Sequence, residues 1–428
     1  MIRREILSEI TKWIESDQFI ILKGARRVGK TTILKTLQEN LECKNAFITC
    51  DDIDFKIKTP EELIFYLREF HGFNNEDKFV LFLDEFQYLK EAGIFLKNLY
   101  DKYQNLKVIA SGSSSLEISK NTEFLTGRSI EFNINPLSFF EFTCHELEKE
   151  INRQSIENFS AIEMFWKFYK EDLQRLFMKY ISWGGYPQIV LEQDISKKLV
   201  LLNNYLEKYL EKDIAGFLQV GNISTFRNVV KLAASQIGNL VNVNEISNTL
   251  NSSYKSVSRY LDILEETYVI KRVPPLFRNI RTEISKSPKM FFTDIGLRNA
   301  VLKINEIVSQ QIDLGAEVEN FVFSELQNRF RDNTIRFYRT NSGSEIDFIV
   351  ENKQNKTLII EVKFRSKISG NNAAFEKFNE KYPEVKTRKI VLTKDLLQQN
   401  KDTDILFLPV SLFSFIVISE LQCSLCKF

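Results

Sequence analysis

Histidine is almost missing from this chain: His71 and His145 are the only two in 428 residues. Cysteine is scarce as well, at positions 43, 50, 144, 423 and 426, too few for a disulfide framework in a chain of this length. Cys423 and Cys426 have the spacing of half a zinc site. A structural zinc needs four ligands, no second pair lies near, and both histidines are remote, so ordinary thiols are expected. Net charge is nearly absent too. Lys and Arg total 58 against 57 for Asp and Glu, which excludes a chain-wide polyanion-binding surface and leaves any nucleic-acid contact local. The longest apolar stretch, Ile405 to Ile418, is interrupted by Pro409 and is too short to span a bilayer. It reads as a buried strand or helix. No charged-then-apolar leader opens the sequence, and the expectation is a soluble cytoplasmic protein with no membrane partner.

What is abundant is core-forming material. Thirty-six phenylalanines and a 43% hydrophobic content imply packed globular domains, two or three at this length. The densest chemical signal is Gly24, Ala25, Arg26, Arg27, Val28, Gly29, Lys30 and Thr31, a complete Walker A phosphate loop. An apolar strand over 19–22 enters it, and a helix-patterned run beginning at Thr32 leaves it. In that setting the glycines let backbone N–H groups wrap phosphates at a helix N-terminus. Lys30 reaches the β- and γ-phosphates, and Thr31 supplies a hydroxyl for Mg²⁺. Residues 24–32 are thus expected to hold ATP.

Strand candidates at 19–23, 45–50, 78–84, 106–111 and 128–134 alternate with helical segments such as 61–70 and 88–103, the pattern of a parallel sheet covered on both faces. The run from Lys78 to Asp84 is a Walker B strand ending in two acids. Asp84 is expected to hold Mg²⁺, and Glu85 to act as general base for an attacking water. After the strand at Val108, the serines 111 and 113–115 offer a hydroxyl for the γ-phosphate or the lytic water, with Ser113 singled out. A serine-rich turn capping the next helix reads equally well. Arg128 is a candidate charge stabiliser, in its own site or a neighbour's, which would imply a homo-oligomer. An ordinary surface arginine is the alternative.

Farther on, 146–220 is helical in pattern, broken by Gly184, Gly185 and Pro187. Helices over 225–237, 244–250 and from 253, followed by strands at 269–273 and 289–292, form a winged-helix pattern. Six basic residues and one acid lie between Lys271 and Lys289, a local stripe for DNA or RNA phosphates. Winged helices also dock proteins. Near the C-terminus, strands 344–350 and 358–364 alternate with period two and join through a turn at 351–356. Pairing them brings Asp347 toward Glu361 and Lys363. Two carboxylates with a lysine suit a hard divalent cation and phosphodiester hydrolysis. Upstream, Glu317, Glu319 and Glu325 lie on a helix over 315–331.

GARRVGKT, LFLDEFQ, ASGSSS, TGRS and NPLSFFEF, continued by GGYP at 184–187, resemble the AAA-type ATPases that carry a conserved C-terminal region of unknown role (AAA_14 joined to DUF4143). The resemblance covers nearly the whole chain. It implies ATP binding, hydrolysis, and a sheet with an additional strand between those of Walker A and Walker B. The C-terminal order resembles the PD-(D/E)xK nuclease fold, with Asp347, Glu361 and Lys363 on its motif and Glu319 as the first-helix acid, a second metal site. Ile346 stands where the strict motif has proline, and fold does not guarantee chemistry.

The expected fold class is therefore α/β: a P-loop NTPase parallel sheet (1–145), a helical connector (146–221), a winged-helix-like domain (222–302) and a restriction-endonuclease-like α/β domain (303–428). The expected activity is Mg-dependent ATP hydrolysis driving a switch on nucleic acid. An ATP-gated metal-dependent DNA nuclease and an ATP-controlled protein-interaction module are the alternatives.

Overall fold

The computed structural model describes residues 2–52, 57–113, 125–208, 222–306, 308, 314–331, 333–340, 343–351, 356–365 and 373–418. Cys423 and Cys426, the serines 114 and 115, and the turn at 352–355 lie outside them. The chain forms two compact units, one of residues 3–136 with 266–269 and one of 137–265 with 270–428 and the first two residues. Apart from 266–269, the segments read as connector, winged helix and C-terminal domain thus fall within one unit. Among the described residues no helix is long and apolar enough to cross a membrane.

The first unit is built on five parallel strands: β1 (Phe19–Lys23), β2 (Lys44–Thr49), β3 (Phe79–Asp84), β4 (Leu106–Gly112) and β5 (Ser129–Asn133). Their order is β2-β3-β4-β1-β5, so β4 is the additional strand between those of Walker A and Walker B. Every residue of β1, β3 and β4 is buried. Such continuous burial arises when both faces of a parallel sheet are covered. Helices α1 (Ile6–Thr11), α2 (Lys30–Glu39), α3 (Pro60–His71) and α4 (Ala92–Lys102) complete the unit. Helix α3 shows the local logic. Thr59 accepts from the Glu62 N–H, Pro60 opens the first turn, and Gly72 closes it at φ +67°. Its Leu63, Ile64 and Leu67 enter the core, each gaining roughly 1.5–3 kcal/mol from burial.

The second unit opens with α5 (Phe139–Glu146), the short strand β6 (Gln154–Ser155), and helices α6 (Phe159–Trp183), α7 (Pro187–Leu191) and α8 (Ile195–Lys208). Helices α9 (Ile223–Ser235), α10 (Val243–Thr249) and α11 (Tyr254–Glu266) precede the antiparallel pair β7 (Ile270–Val273) and β8 (Lys289–Phe292), with α12 (Ile280–Ser285) between the strands. Then follow α13 (Ile295–Leu302), α14 (Gly315–Arg329), β9 (Thr334–Arg339), β10 (Glu345–Glu351), β11 (Lys356–Lys363), α15 (Ala373–Lys381), β12 (Lys386–Thr393), β13 (Gln398–Asn400) and β14 (Ile405–Pro409). These last six strands make one mixed sheet in the order β13-β14-β12-β11-β10-β9. The apolar stretch near the C-terminus is a strand, a 3₁₀ turn over Val410–Phe415 and a final strand β15 (Ile416–Val417) against β6, with all but Val417 buried.

The NPLSFFEF and GGYP segments meet inside this unit. The Leu137 N–H donates to the Gly185 carbonyl at 2.8 Å, and the Tyr180 hydroxyl donates to the Leu137 carbonyl. Ser138 and Glu141 form a reciprocal capping box on α5. The Phe139 ring packs edge-on against Phe177, Tyr180 and Phe321 at 5.6–6.0 Å. Such pairs are worth about 0.5–1.5 kcal/mol each beyond area burial. Buried Glu325 takes the Phe139 N–H at 2.7 Å and the Ser414 hydroxyl at 2.6 Å.

Gly184 sits at φ +75°, and a Cβ there would lie 2.3 Å from Asp294 Oδ1. Asp294 in turn accepts the N–H groups of Gly185 and Leu297. Burial pushes its carboxyl up to about 6 from 3.8. A folded value above the unfolded one gives stability that is full below 3.8 and lost as pH rises through about 6. The expected loss is about 1.4 kcal/mol per pH unit across that window. In urea unfolding, wild-type stability relative to Asp294→Asn should fall with rising pH there and level off above it. A pH-independent difference contradicts this reading.

Candidate functional site

Strand β1 ends at Lys23, and the chain turns immediately into the phosphate loop. Gly24, at φ +153°, touches the backbone so closely that a Cβ would lie 2.1 Å from the Ile134 carbonyl oxygen. The Ile134 N–H donates to the Lys23 carbonyl at 2.6 Å, fixing the contact. Arg27 and Gly29 also take positive φ, 66° and 98°, and α2 begins at Lys30. The first N–H groups of a helix lack intrahelical partners, which makes this turn an anion site. Buried Arg4 braces it from outside, donating to the Val28 carbonyl at 2.8 Å and the Asn135 carbonyl at 2.7 Å. The Lys30 ammonium donates to the carbonyls of Gly24 at 3.0 Å and Ala25 at 2.8 Å.

At the neighbouring strand tip the Thr31 hydroxyl donates to Asp84 Oδ2 at 2.7 Å. The Ser111 hydroxyl donates to the other Asp84 oxygen. A hydroxyl and a carboxylate in contact are hard oxygen donors that one Mg²⁺ ion can share, so the residues present fit the metal. Glu85 follows in the left-handed region, at φ +54°, a conformation that costs a non-glycine residue of order 1–3 kcal/mol. Its carboxylate accepts from the Ser113 hydroxyl at 3.0 Å and from Gln87, which also donates to Ser113 at 3.2 Å. Arg26 reaches the Tyr88 hydroxyl at 3.5 Å. Arg4 carries no motif signature and was invisible to pattern reading; Gln87 stood inside LFLDEFQ without an assigned role, and Ser111 was legible only as part of a serine run.

Residues 16–143 match the AAA domain family model. Residues 314–413 match the domain of unknown function DUF4143, as the motif resemblance implied, and 174–307 match a further one, DUF8612. Relatives include an uncharacterized protein of Haemophilus influenzae, 24% identical over 381 residues and covering 85% of this chain and 87% of its own length. An uncharacterized protein of Methanocaldococcus jannaschii is 26% identical over 388 residues, covering 85% of this chain and 80% of its own. Among solved structures, the Walker-type ATPase of Pyrococcus abyssi aligns at 15% identity and TM-score 0.47, over 71% of this chain and 96% of that one. The RuvB Holliday junction branch migration motor of Thermotoga maritima aligns at 15% identity and TM-score 0.33, over 64% and 90%.

Arg128 of the AAA domain is not beside its phosphate loop. Its carbonyl accepts from the Phe19 N–H, which puts it where β1 begins, while the loop leaves where β1 ends. Five residues of strand separate the two by roughly 16 Å. A role in its own site is therefore ruled out. The guanidinium donates instead to Asp101 at 2.8 Å.

In the DUF4143 segment the expected hairpin forms, and its register sets Phe348 opposite Ile360, hence Asp347 opposite Glu361. The expected metal set does not gather. Glu361 pairs with Lys363 at 2.8 Å, and Asp347 accepts the Val362 N–H at 2.8 Å. Glu317 pairs with Arg298 at 2.7 Å, and Glu325 is spent on α5. Of the three acids on α14, Glu319 comes nearest to Asp347, and between them stands Lys289, 2.7 Å from Glu319 and 3.5 Å from Asp347, with Glu345 also against its ammonium. Burial, then Asp347, push the Glu319 carboxyl up, while the Lys289 ammonium pulls it down. Among the described residues no group of His, Cys, Asp or Glu is arranged to hold a metal ion.

The expected basic stripe is also altered by pairing. Arg272 is held by Glu265 at 2.6 Å and Asp262 at 2.7 Å, and Lys271 by Glu265 at 3.1 Å. Arg278 pairs with Glu384, and Lys289 is buried. Of the six cations only Arg281 and Lys286 are exposed without an ion pair among the described residues. At the phosphate loop, Gly24→Ala should destabilise the AAA domain by about 1–3 kcal/mol, because the Cβ meets backbone and not a yielding side chain. An unchanged denaturant midpoint would refute the close approach.

Proposed function

We propose that the AAA domain hydrolyses ATP to ADP and phosphate with Mg²⁺. The observation that carries the reading is the Thr31–Asp84 contact, which joins Walker A to Walker B with Glu85 beside it. The loop's N–H groups and Lys30 bind the phosphates. Thr31 and Asp84 would hold Mg²⁺, which when bound neutralises phosphate charge. Ser113 and Gln87 orient the Glu85 carboxylate, which takes a proton from the attacking water as the bond to the γ-phosphorus forms and the bond to the leaving ADP oxygen breaks. Lys30→Ala and Asp84→Ala should abolish binding or turnover. Glu85→Gln should keep MgATP affinity while turnover falls by about 10²–10⁴. Wild-type protein with no affinity for MgATP in calorimetry would overturn the proposal.

The nucleotide is read as a switch acting on nucleic acid through α9 to α11 and the β7–β8 pair. With the stripe beyond β7 largely paired, support now comes from α11. Tyr254, Lys255 and Arg259 are exposed near its N-terminal end, and neither cation has an ion pair among the described residues. Recognition helices of this layout present such residues to DNA. Lys255→Ala with Arg259→Ala should weaken a DNA gel shift and reduce its salt slope by about two. DNA affinity unchanged by that pair, or absent in the wild type, favours a protein partner.

A further inference from the structure

We infer that Lys289 is the resident cation of the carboxylate cluster formed by Glu319, Glu345 and Asp347, so that this nuclease-like site takes no divalent metal and serves instead as a socket for the β7–β8 pair. This goes beyond the ATPase reading and does not depend on it.

The geometry is that of a built site with its occupant supplied by the chain. The Lys289 side chain is 4% exposed. Its ammonium lies 2.7 Å from Glu319 on α14 and 3.5 Å from Asp347 on β10, and is also in contact with Glu345, at the start of β10. An ammonium has three donors and no acceptor, and three carboxylates meet it. A divalent cation bound by the same oxygens would have to share their centre with a buried positive charge, which repels it strongly at such range in a poorly screened interior. The other half of the motif is closed as well, because Glu361 is paired with Lys363.

Four further contacts hold the lysine there. Gly238 has no Cβ, and one built on it would stand 3.0 Å from Glu319 Oε2. The Gly238 N–H donates to the Met290 carbonyl, fixing β8 next to Lys289. On the other strand, the chain leaving β7 pairs with the edge of the sheet. The Phe337 N–H donates to Pro274, and the Leu276 N–H donates to Phe337 at 2.7 Å. Lys289 therefore arrives on a strand whose partner, β7, is itself tied to the sheet at its exit.

The test uses the full chain in an Asp84→Asn background, which removes the nucleotide-site metal ligand, with Mn²⁺ binding followed by electron paramagnetic resonance without nucleotide. Protein with Lys289 intact should bind no Mn²⁺ that is lost on Asp347→Asn, and should not cleave DNA. Lys289→Ala should lower thermal stability, gain one Mn²⁺ per chain, and regain stability when Mn²⁺ is added. A folded Lys289→Ala protein that gains no Mn²⁺ overturns the inference. If that variant does not fold even with Mn²⁺, the intact-lysine arm decides: Mn²⁺ bound there in an Asp347-dependent way overturns the inference, and its absence supports it.

Discussion

The hydroxyl of Thr31 against the carboxylate of Asp84 is the contact on which the nucleotide site rests. The two residues are 53 positions apart, and they meet only because β1 and β3 run parallel with β4 between them. Parallel strands deliver all their C-terminal tips to one edge, so the loop after β1 and the acids after β3 arrive together. An antiparallel β3 would carry Asp84 to the opposite edge. The buried apolar runs of β1, β3 and β4 thus do more than fill a core. They fix the distance between the phosphate loop and the carboxylate of Asp84.

The second unit is organised by buried charge and aromatic rings. Asp294 gathers the N–H groups around the Gly184–Gly185 turn, Glu325 gathers the Phe139 N–H and the Ser414 hydroxyl, and Lys289 gathers three carboxylates. Burying such groups is costly unless each finds partners, and here the partners come from elements distant in sequence. Each polar knot therefore specifies a particular tertiary arrangement. The rings of Phe139, Phe177, Tyr180 and Phe321 supply the apolar half of the same specification.

Much of this was readable from sequence because it is local. Strand positions in the AAA domain follow from short apolar runs between turn signals, and the C-terminal hairpin from period-two alternation. What resisted reading was anything decided by where distant segments meet. Arg128 is close in sequence to the serines of β4, yet it begins a strand and they end one, so the parallel sheet carries them to opposite edges. Lys289 looked like one more wing cation among six, because a lysine in an apolar tetrad has the same pattern whether its head reaches solvent or a carboxylate. For Lys271 and Arg272 the sequence showed Glu265 and Glu266 diluting the charge nearby, but not that Glu265 and Asp262 pair with them directly.

Gly24 and Ile134 bring a mechanical consequence. The first glycine of the phosphate loop is packed on the backbone of the residue that follows β5, and Arg4 ties the carbonyls of Val28 and Asn135 into the same knot. The NPLSFFEF segment begins at the next residue, and the chain crosses into the other unit within it, between Pro136 and Leu137. The backbone of Gly24 therefore cannot shift without Ile134, which stands three residues before the first residue of the other unit.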